Sequence, residues 1–566
     1  MKSRWKKFFT GAGILGLCTA LAKLLGAFFR IPLTNIVGAE GIGLYQMVFP
    51  LYTVLLTISS GGIATAVSKA VASSRAKGET TNTLSILKIT TLSILLFAAA
   101  ASLPLILFNR HIASVQGNSL AALAYLGIAP SIVFVAVVAA FRGYFQGNGN
   151  MLPSGVSQII EQAVKLGVGL SMAAFLMPRG LEWAVFGAVL GVTVSELLAM
   201  IFLLASFLIL RQRHKKRNLI YVKNLPCLES GIDECFKNLK IPHQGYEKKP
   251  ISKIMKMIYA IAVPVTLGSL IMPLTQVIDS VMIINVLVSN GAARGEATAL
   301  FGLISGPIAS LINMPMAITL AISVALLPKI AAYFSKNKEA VVYSQDLRSM
   351  SETAEDIVLE TKQNSEKAAV LVGKSIFLTL LLSLPAAAIF MFFSNNIVGA
   401  LYSRGLSDVQ IAMAARLLRI ESLSIIYLGI IQVATAVLQG ADKPHRPAIN
   451  LLYGAIAKVL LTLILLPFIG IVGAAIATVV CYGIVALINF FYMKKVVSIK
   501  FNLFWQLFMP LIACVLMIAS AKLVLFLLGG ILNQLIAFII SLLAGGLVYA
   551  AFLFITKTVK IKELLS

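Results

Sequence analysis

The chain has 566 residues, of which 59% are apolar and only 12% charged, and its formal net charge is +25 at pH 7. Soluble domains carry about a quarter charged residues, so a chain this apolar takes the bilayer as its solvent and an ordinary soluble domain is excluded. The surplus of Lys and Arg belongs on loops facing anionic membrane lipids and is not read as a nucleic-acid surface.

Crossing a hydrocarbon core of ~30 Å takes roughly 20 apolar residues as a helix. Barrel strands alternate over ~10 residues and do not describe the long continuous runs of this sequence. Met1–Phe9 is basic and leads into a run that continues through Arg30 and Pro32 with no small-residue cleavage site, so it reads as an uncleaved first helix. In chain order the predicted spans are 10–36, 43–68, 83–108, 119–141, 153–177, 183–210, 254–288, 298–327, 373–394, 412–438, 447–466, 471–493, 503–528 and 531–556. The expected fold class is all-α, a polytopic membrane protein of about fourteen helices.

With the N-terminus inside, cytoplasmic segments hold 33 of the 47 Lys and Arg, the outer loops hold four (Arg110, Arg179, Arg294 and Arg404), and the other ten fall in or at the edges of spans. One missed helix would scramble so lopsided a split, so both termini are expected in the cytoplasm. Residues 211–253 form a basic loop that opens with Arg211, Arg213, Lys215, Lys216 and Arg217. It carries Cys227, Cys235 and His243, whose spacing is no standard zinc pattern, so free thiols are expected and no metal site. Residues 328–372 mix six basic with seven acidic residues, and Ser344–Ala369 is expected to form a polar surface helix on a solvated insertion.

The sequence repeats itself. Gln146-Gly147 is followed by Pro153 and then Lys165, and Gln439-Gly440 by Pro447 and then Lys458, with 19 residues from Gln to Lys in both copies. Two six-helix units in the same orientation produce such a parallel repeat. The expected organisation is a first six-helix lobe at 1–210, a linker at 211–253, a second lobe at 254–500 with the insertion at 328–372, and two further helices in 501–566.

Ionisable groups at bilayer depth are costly and mark a pathway or a buried pair. Lys23 and Arg30 share one face of span one. Glu161 and Lys165 form an i,i+4 pair in span five, Glu196 lies in span six and Asp279 in span seven. Arg416, Arg419 and Glu421 fall in span ten and Lys458 in span eleven. Six of these ten groups are basic, so a cavity lined by them is expected to be cationic and to suit a pyrophosphate headgroup. Asp279, Glu196 and Glu421 are candidates for a coupling cation or proton. Pro32, Pro50, Pro264, Pro273, Pro307 and Pro315 fall in the first two spans of each repeat, where broken helices mark moving parts, and Gly61-Gly62 is a candidate hinge. There is no phosphate-binding loop and no enzyme constellation, so a transporter without a cofactor is expected.

Ala22-Lys23-Leu24-Leu25-Gly26, Arg30, and Gly38 through Gln46 (Gly-Ala-Glu-Gly-Ile-Gly-Leu-Tyr-Gln) are followed by Ala66-Val67-Ser68-Lys69. Then come Arg142-Gly143-Tyr144-Phe145-Gln146-Gly147, Met151, Pro153, Ser157-Gln158 and Glu161-Gln162. Together these resemble the stage V sporulation protein B/YtgP group of polysaccharide flippases. That group belongs to the multidrug/oligosaccharidyl-lipid/polysaccharide exporter superfamily and is related to the MurJ lipid II flippases. The resemblance implies two lobes that alternate between inward-open and outward-open shapes, and lipid II as the leading substrate. It aligns Lys23 with a cavity arginine of the MurJ type and brings Arg30 within a residue of another, and it departs near Leu44, Ser59 and Ser305. The expected function is a flippase for an undecaprenyl-pyrophosphate-linked sugar, with cell-wall synthesis proteins as possible partners. The alternatives are a flippase for a capsule, teichoic or spore-cortex precursor, and a cation-coupled drug exporter.

Overall fold

The computed structural model describes residues 11–76, 80–223, 250–346, 351–499, 502 and 504–558. Met1–Phe9, Cys227, Cys235 and His243 lie outside the described residues. Every regular element among the described residues is helical.

Helix α1, Gly11–Ser60, makes two passes. It breaks at Gly38, whose φ of 70° is open to glycine and costly for other residues. The chain then returns to the end it left. Cys18 lies against Gly155, and Ser68 of α2 (Ile63–Ala76) lies against Gly147, on the two sides of one short turn. Among the described residues, thirteen helical stretches are long and apolar enough to cross a membrane, and the first, Gly13–Ala76, is 64 residues long. Because that stretch goes out and back, the thirteen stretches make fourteen passes, as the sequence predicts.

The first repeat continues through α3 (Thr80–Leu107), the short α4 (Asn109–Val115), α5 (Ala122–Gly147), α6 (Leu152–Leu176) and α7 (Leu181–Lys223). Arg142, counted in the charge tally as a loop cation, lies inside α5. The stretch Arg211–Arg217 continues α7 as helix and does not begin a loop. The second repeat opens with α8 (Ile251–Ser289) and α9 (Arg294–Leu303). A π turn, Ile304–Ile308, follows, and then α10 (Ala309–Asp346). α11 (Ser351–Phe392) enters the membrane without a break. The expected surface helix at 344–369 is therefore the outer part of two long helices, with 347–350 between them outside the described residues. The physical reason is that 329–346 and 351–372 contain neither Gly nor Pro, so nothing stops either helix at the membrane surface.

After α12 (Ser394–Tyr402) comes α13 (Asp408–Glu421), joined to α14 (Leu423–Gly440) through Ser422. The apolar span proper is Leu423–Gly440, so the tenth pass starts later than predicted. α15 (His445–Ile469) and α16 (Ile471–Val496) form a hairpin, and α17 (Met509–Leu528) and α18 (Gln534–Ile555) form another. The last hairpin is tied to α11 by Tyr549, whose hydroxyl donates to the Leu381 carbonyl at 2.9 Å.

The repeat seen in the sequence extends to the backbone. After α5, N–H groups bond in three steps: Asn148 to Tyr144 O (3.0 Å), Gly149 to Gln146 O (2.9 Å) and Asn150 to Phe145 O (3.0 Å). After α14 the same pattern runs from Ala441 to Val437 O (2.9 Å), Asp442 to Gln439 O (3.1 Å) and Lys443 to Leu438 O (2.9 Å). The third residue after each Gln, Gly149 or Asp442, has positive φ. Both helices thus end in one and the same cap.

Pro32 and Pro50 lie inside α1, Pro264 and Pro273 inside α8, Pro307 in the π turn and Pro315 in α10. Gly61-Gly62 breaks the second pass between α1 and α2. Gly62 is also a close approach: a Cβ there would run into the Ala262 backbone of α8, and its N–H donates to Thr266 Oγ1 at 3.1 Å.

Candidate functional site

At the end of the bundle where α1 breaks, the two repeats are locked together. Asn35 Nδ2 donates to the Leu401 carbonyl at 2.7 Å, Asn118 Nδ2 to Thr298 Oγ1 at 3.0 Å, and Gln116 Nε2 to Ser280 Oγ at 3.2 Å. Leu33, Ile42, Leu44 and Leu303 are fully buried there. Beneath this seal lies a cavity of about 220 Å³.

Arg30 enters the cavity from α1. Its Nη1 donates to Ser310 Oγ at 3.1 Å and reaches the Ser305 carbonyl at 3.5 Å. The π turn explains this acceptor. In the wider turn the Ala309 N–H bonds to the Ile304 and Gly306 carbonyls and not to Ser305, so the Ser305 carbonyl is turned to Gln46 Nε2 and Arg30. Such turns recur at functional sites.

Across the cavity, Lys458 Nζ of α15 donates to Asp279 Oδ2 of α8 at 2.5 Å, with the side chains 16% and 10% exposed. Asp279 Oδ1 is buried and has no hydrogen-bond partner. Glu421 lines the same cavity and is itself buried. A second acid therefore faces the pair. Tyr482 and Thr478 of α16 complete this wall.

The other predicted groups gather elsewhere. Glu161 does not pair with Lys165, its neighbour one helical turn away. It accepts from Arg142 Nη2 of α5 at 2.9 Å and from Gln162 Nε2 at 2.9 Å, while Arg142 Nε donates to Ser157 Oγ at 2.9 Å. Glu196 of α7 is buried beside this group, facing Glu161, Arg142 and Lys165. Lys165 Nζ stands 5.0 Å from the Phe29 ring centroid and 5.3 Å from that of Phe49. Phe49 also lines the cavity, so Lys165 meets aromatic faces where Lys458 meets a carboxylate. Lys23 is exposed on α1 and has no acidic partner among the described residues. Arg416 and Arg419 are exposed on α13, and Arg419 Nη2 reaches Ser394 Oγ at 3.4 Å. Neither lines the cavity.

The ten intramembrane charges thus do not form one cationic set. Two cations and two acids, Arg30, Lys458, Asp279 and Glu421, share the cavity, and Arg142, Glu161, Lys165 and Glu196 form a second cluster between α1, α5, α6 and α7. Arg142 escapes sequence reasoning because its partner is 19 residues away across a hairpin, outside any within-helix spacing. Gln46 and Ser305 escape because a backbone carbonyl freed by a π turn leaves no trace in residue type.

Among the described residues, fourteen apolar passes and a cavity lined with buried charge define a multi-pass membrane protein, with ionisable groups held where lipid would reject them. The chain belongs to the Polysaccharide biosynthesis protein family, which it matches over residues 8–334, and residues 361–464 match the MatE family. Stage V sporulation protein B of Bacillus subtilis (strain 168) is 26% identical over 513 residues, spanning 90% of this chain and 88% of that protein. Lipid II flippase MurJ of the same organism is 23% identical over 560 residues, spanning 96% and 94%. Among solved structures, lipid II flippase MurJ in its inward closed conformation superposes with a TM-score of 0.62 at 14% identity, covering 98% of this chain and 99% of that one. An inward-facing multidrug resistance MATE family transporter gives 0.57 at 14% identity, covering 84% and 94%. The fold is therefore that of the MurJ and MATE proteins.

Proposed function

We propose that this protein flips an undecaprenyl-pyrophosphate-linked sugar, with lipid II as the leading substrate, across the cytoplasmic membrane by alternating access. The observation that carries the reading is the meeting of Arg30 and Lys458, from the first helix of the chain and the repeat helix α15, in one cavity. An arginine fork and a lysine point charge are the two side chains that hold phosphate oxygens best. The pyrophosphate competes with Asp279 for Lys458, and the carboxylate released from that pair takes up a coupling cation or proton, with Glu421 beside it. Lys23, exposed toward the end where the chain starts, meets the headgroup on its way in. Both termini and the extensions of α7, α10 and α11 face the cytoplasm, in line with the Lys and Arg count, and the paired extensions of α10 and α11 offer a surface for cell-wall synthesis proteins.

The similarity to stage V sporulation protein B favours one second reading, a flippase for a spore-cortex or related lipid-linked glycan. Both readings use the same cavity. Cells depleted of their own lipid II flippases and supplied with this protein separate them. Lipid II exposed on the outer face, and lost in an Arg30→Gln/Lys458→Gln variant of equal abundance, supports lipid II. Equal abundance of the unmodified protein with no exposure moves the substrate to another glycan.

A further inference from the structure

A second cavity, of about 310 Å³, opens on the lipid-facing side between α3, α5 and α7. It is graded along its length. At the end near the start of α3 it is flanked by Lys88 and Arg211, both exposed and neither with an acidic partner among the described residues. One turn deeper come Thr91 and Phe207. Leu95 lies roughly 10 Å along α3 from Lys88, at ~1.5 Å per residue. Phe141 forms part of the floor, its ring edge-on to Phe207 at 5.6 Å. Beyond the rim, Leu92 and Leu96 are 62% and 67% exposed, so the apolar surface continues outward along α3.

We propose that this groove is a specific site for one anionic phospholipid. The phosphodiester sits between Lys88 and Arg211, and one acyl chain lies over Phe141, Phe207 and Leu95. The occupant is a bilayer glycerophospholipid and not the transported lipid, because the groove is separate from the Arg30 cavity and shares no residue with it. It also joins the two outer helices α3 and α7 across α5, so occupancy stiffens the first repeat.

The test uses the full chain with Trp5, Trp183 and Trp505 replaced by Phe and with Phe207→Trp, in nanodiscs of phosphatidylcholine with increasing brominated phosphatidylglycerol. Quenching of the new tryptophan reaches its midpoint at about thirty-fold lower mole fraction than with brominated phosphatidylcholine, on the basis of about a fivefold gain per basic residue. Lys88→Gln/Arg211→Gln removes that preference, while its unfolding temperature in pure phosphatidylcholine stays at the value of the parent. Equal quenching by the two lipids, or a preference that survives the double substitution, overturns the site. Displacement of phosphatidylglycerol by an equimolar amount of undecaprenyl phosphate overturns the choice of occupant.

Discussion

The two charged clusters arise from one repeat and end in different chemistry. Lys165 and Lys458 occupy the same place after matching helix caps, yet Lys165 is held against Phe29 and Phe49 and Lys458 against Asp279. The acid near Lys165, Glu161, is taken by Arg142. The first cluster is enclosed in the packing of α1, α5, α6 and α7, where Glu196 Oε2 is buried without a hydrogen-bond partner. The second likewise leaves one carboxylate oxygen, Asp279 Oδ1, without a partner, but it opens onto the cavity with Arg30. A buried ion pair adds little to stability but is expensive to break from one side.

The largest expected effect breaks the second cluster. Lys458→Gln or Asp279→Asn leaves one buried charge alone, costs about 3–5 kcal/mol of stability and abolishes flipping. The exchanged pair Asp279→Lys/Lys458→Asp recovers much of the unfolding temperature, which thermal unfolding in detergent reads directly. Next comes the first cluster. Arg142→Gln costs a similar or slightly smaller amount, about 2–4 kcal/mol, because Glu161 keeps its bond from Gln162. Its activity per folded molecule is unchanged, which separates packing from transport. Gly62→Ala drives a Cβ into the Ala262 backbone and lowers stability by about 1–3 kcal/mol, again measured by thermal unfolding. The smallest effect is at Arg416 and Arg419. Both are exposed, and their replacement by Gln shifts stability by no more than about 0.5 kcal/mol and leaves flipping intact. Loss of activity there would extend the cationic pathway onto α13.

The helix count was legible because apolar runs of span length punctuated by Gly, Pro and basic residues have no other solution in this composition. The parallel repeat was read from four residues, Gln, Gly, Pro and Lys, and the matching hydrogen bonds after each Gln were not legible, because Asn148-Gly149-Asn150 and Ala441-Asp442-Lys443 share no residue type. The extents of α7, α10 and α11 were not, since a hydropathy reading stops a helix where apolar residues stop and the backbone stops where Gly or Pro intervenes. At the site, the sequence could place Arg30, Asp279 and Lys458 at depth. It could not choose partners, because Lys458 finds Asp279 at a separation of 179 residues and Arg30 finds Ser310 at 280. Counting charges also could not tell the groups that line the cavity from Lys165, which stands behind Phe49 of the cavity wall.

The most direct test is equilibrium binding of undecaprenyl pyrophosphate, beside uncharged undecaprenol, to the purified protein and to its Arg30→Gln/Lys458→Gln variant. If these two residues hold the headgroup, the variant loses roughly a hundredfold or more in affinity for the pyrophosphate and binds the alcohol as before. Equal affinity of the two proteins for undecaprenyl pyrophosphate would mean that the cavity does not carry the phosphate.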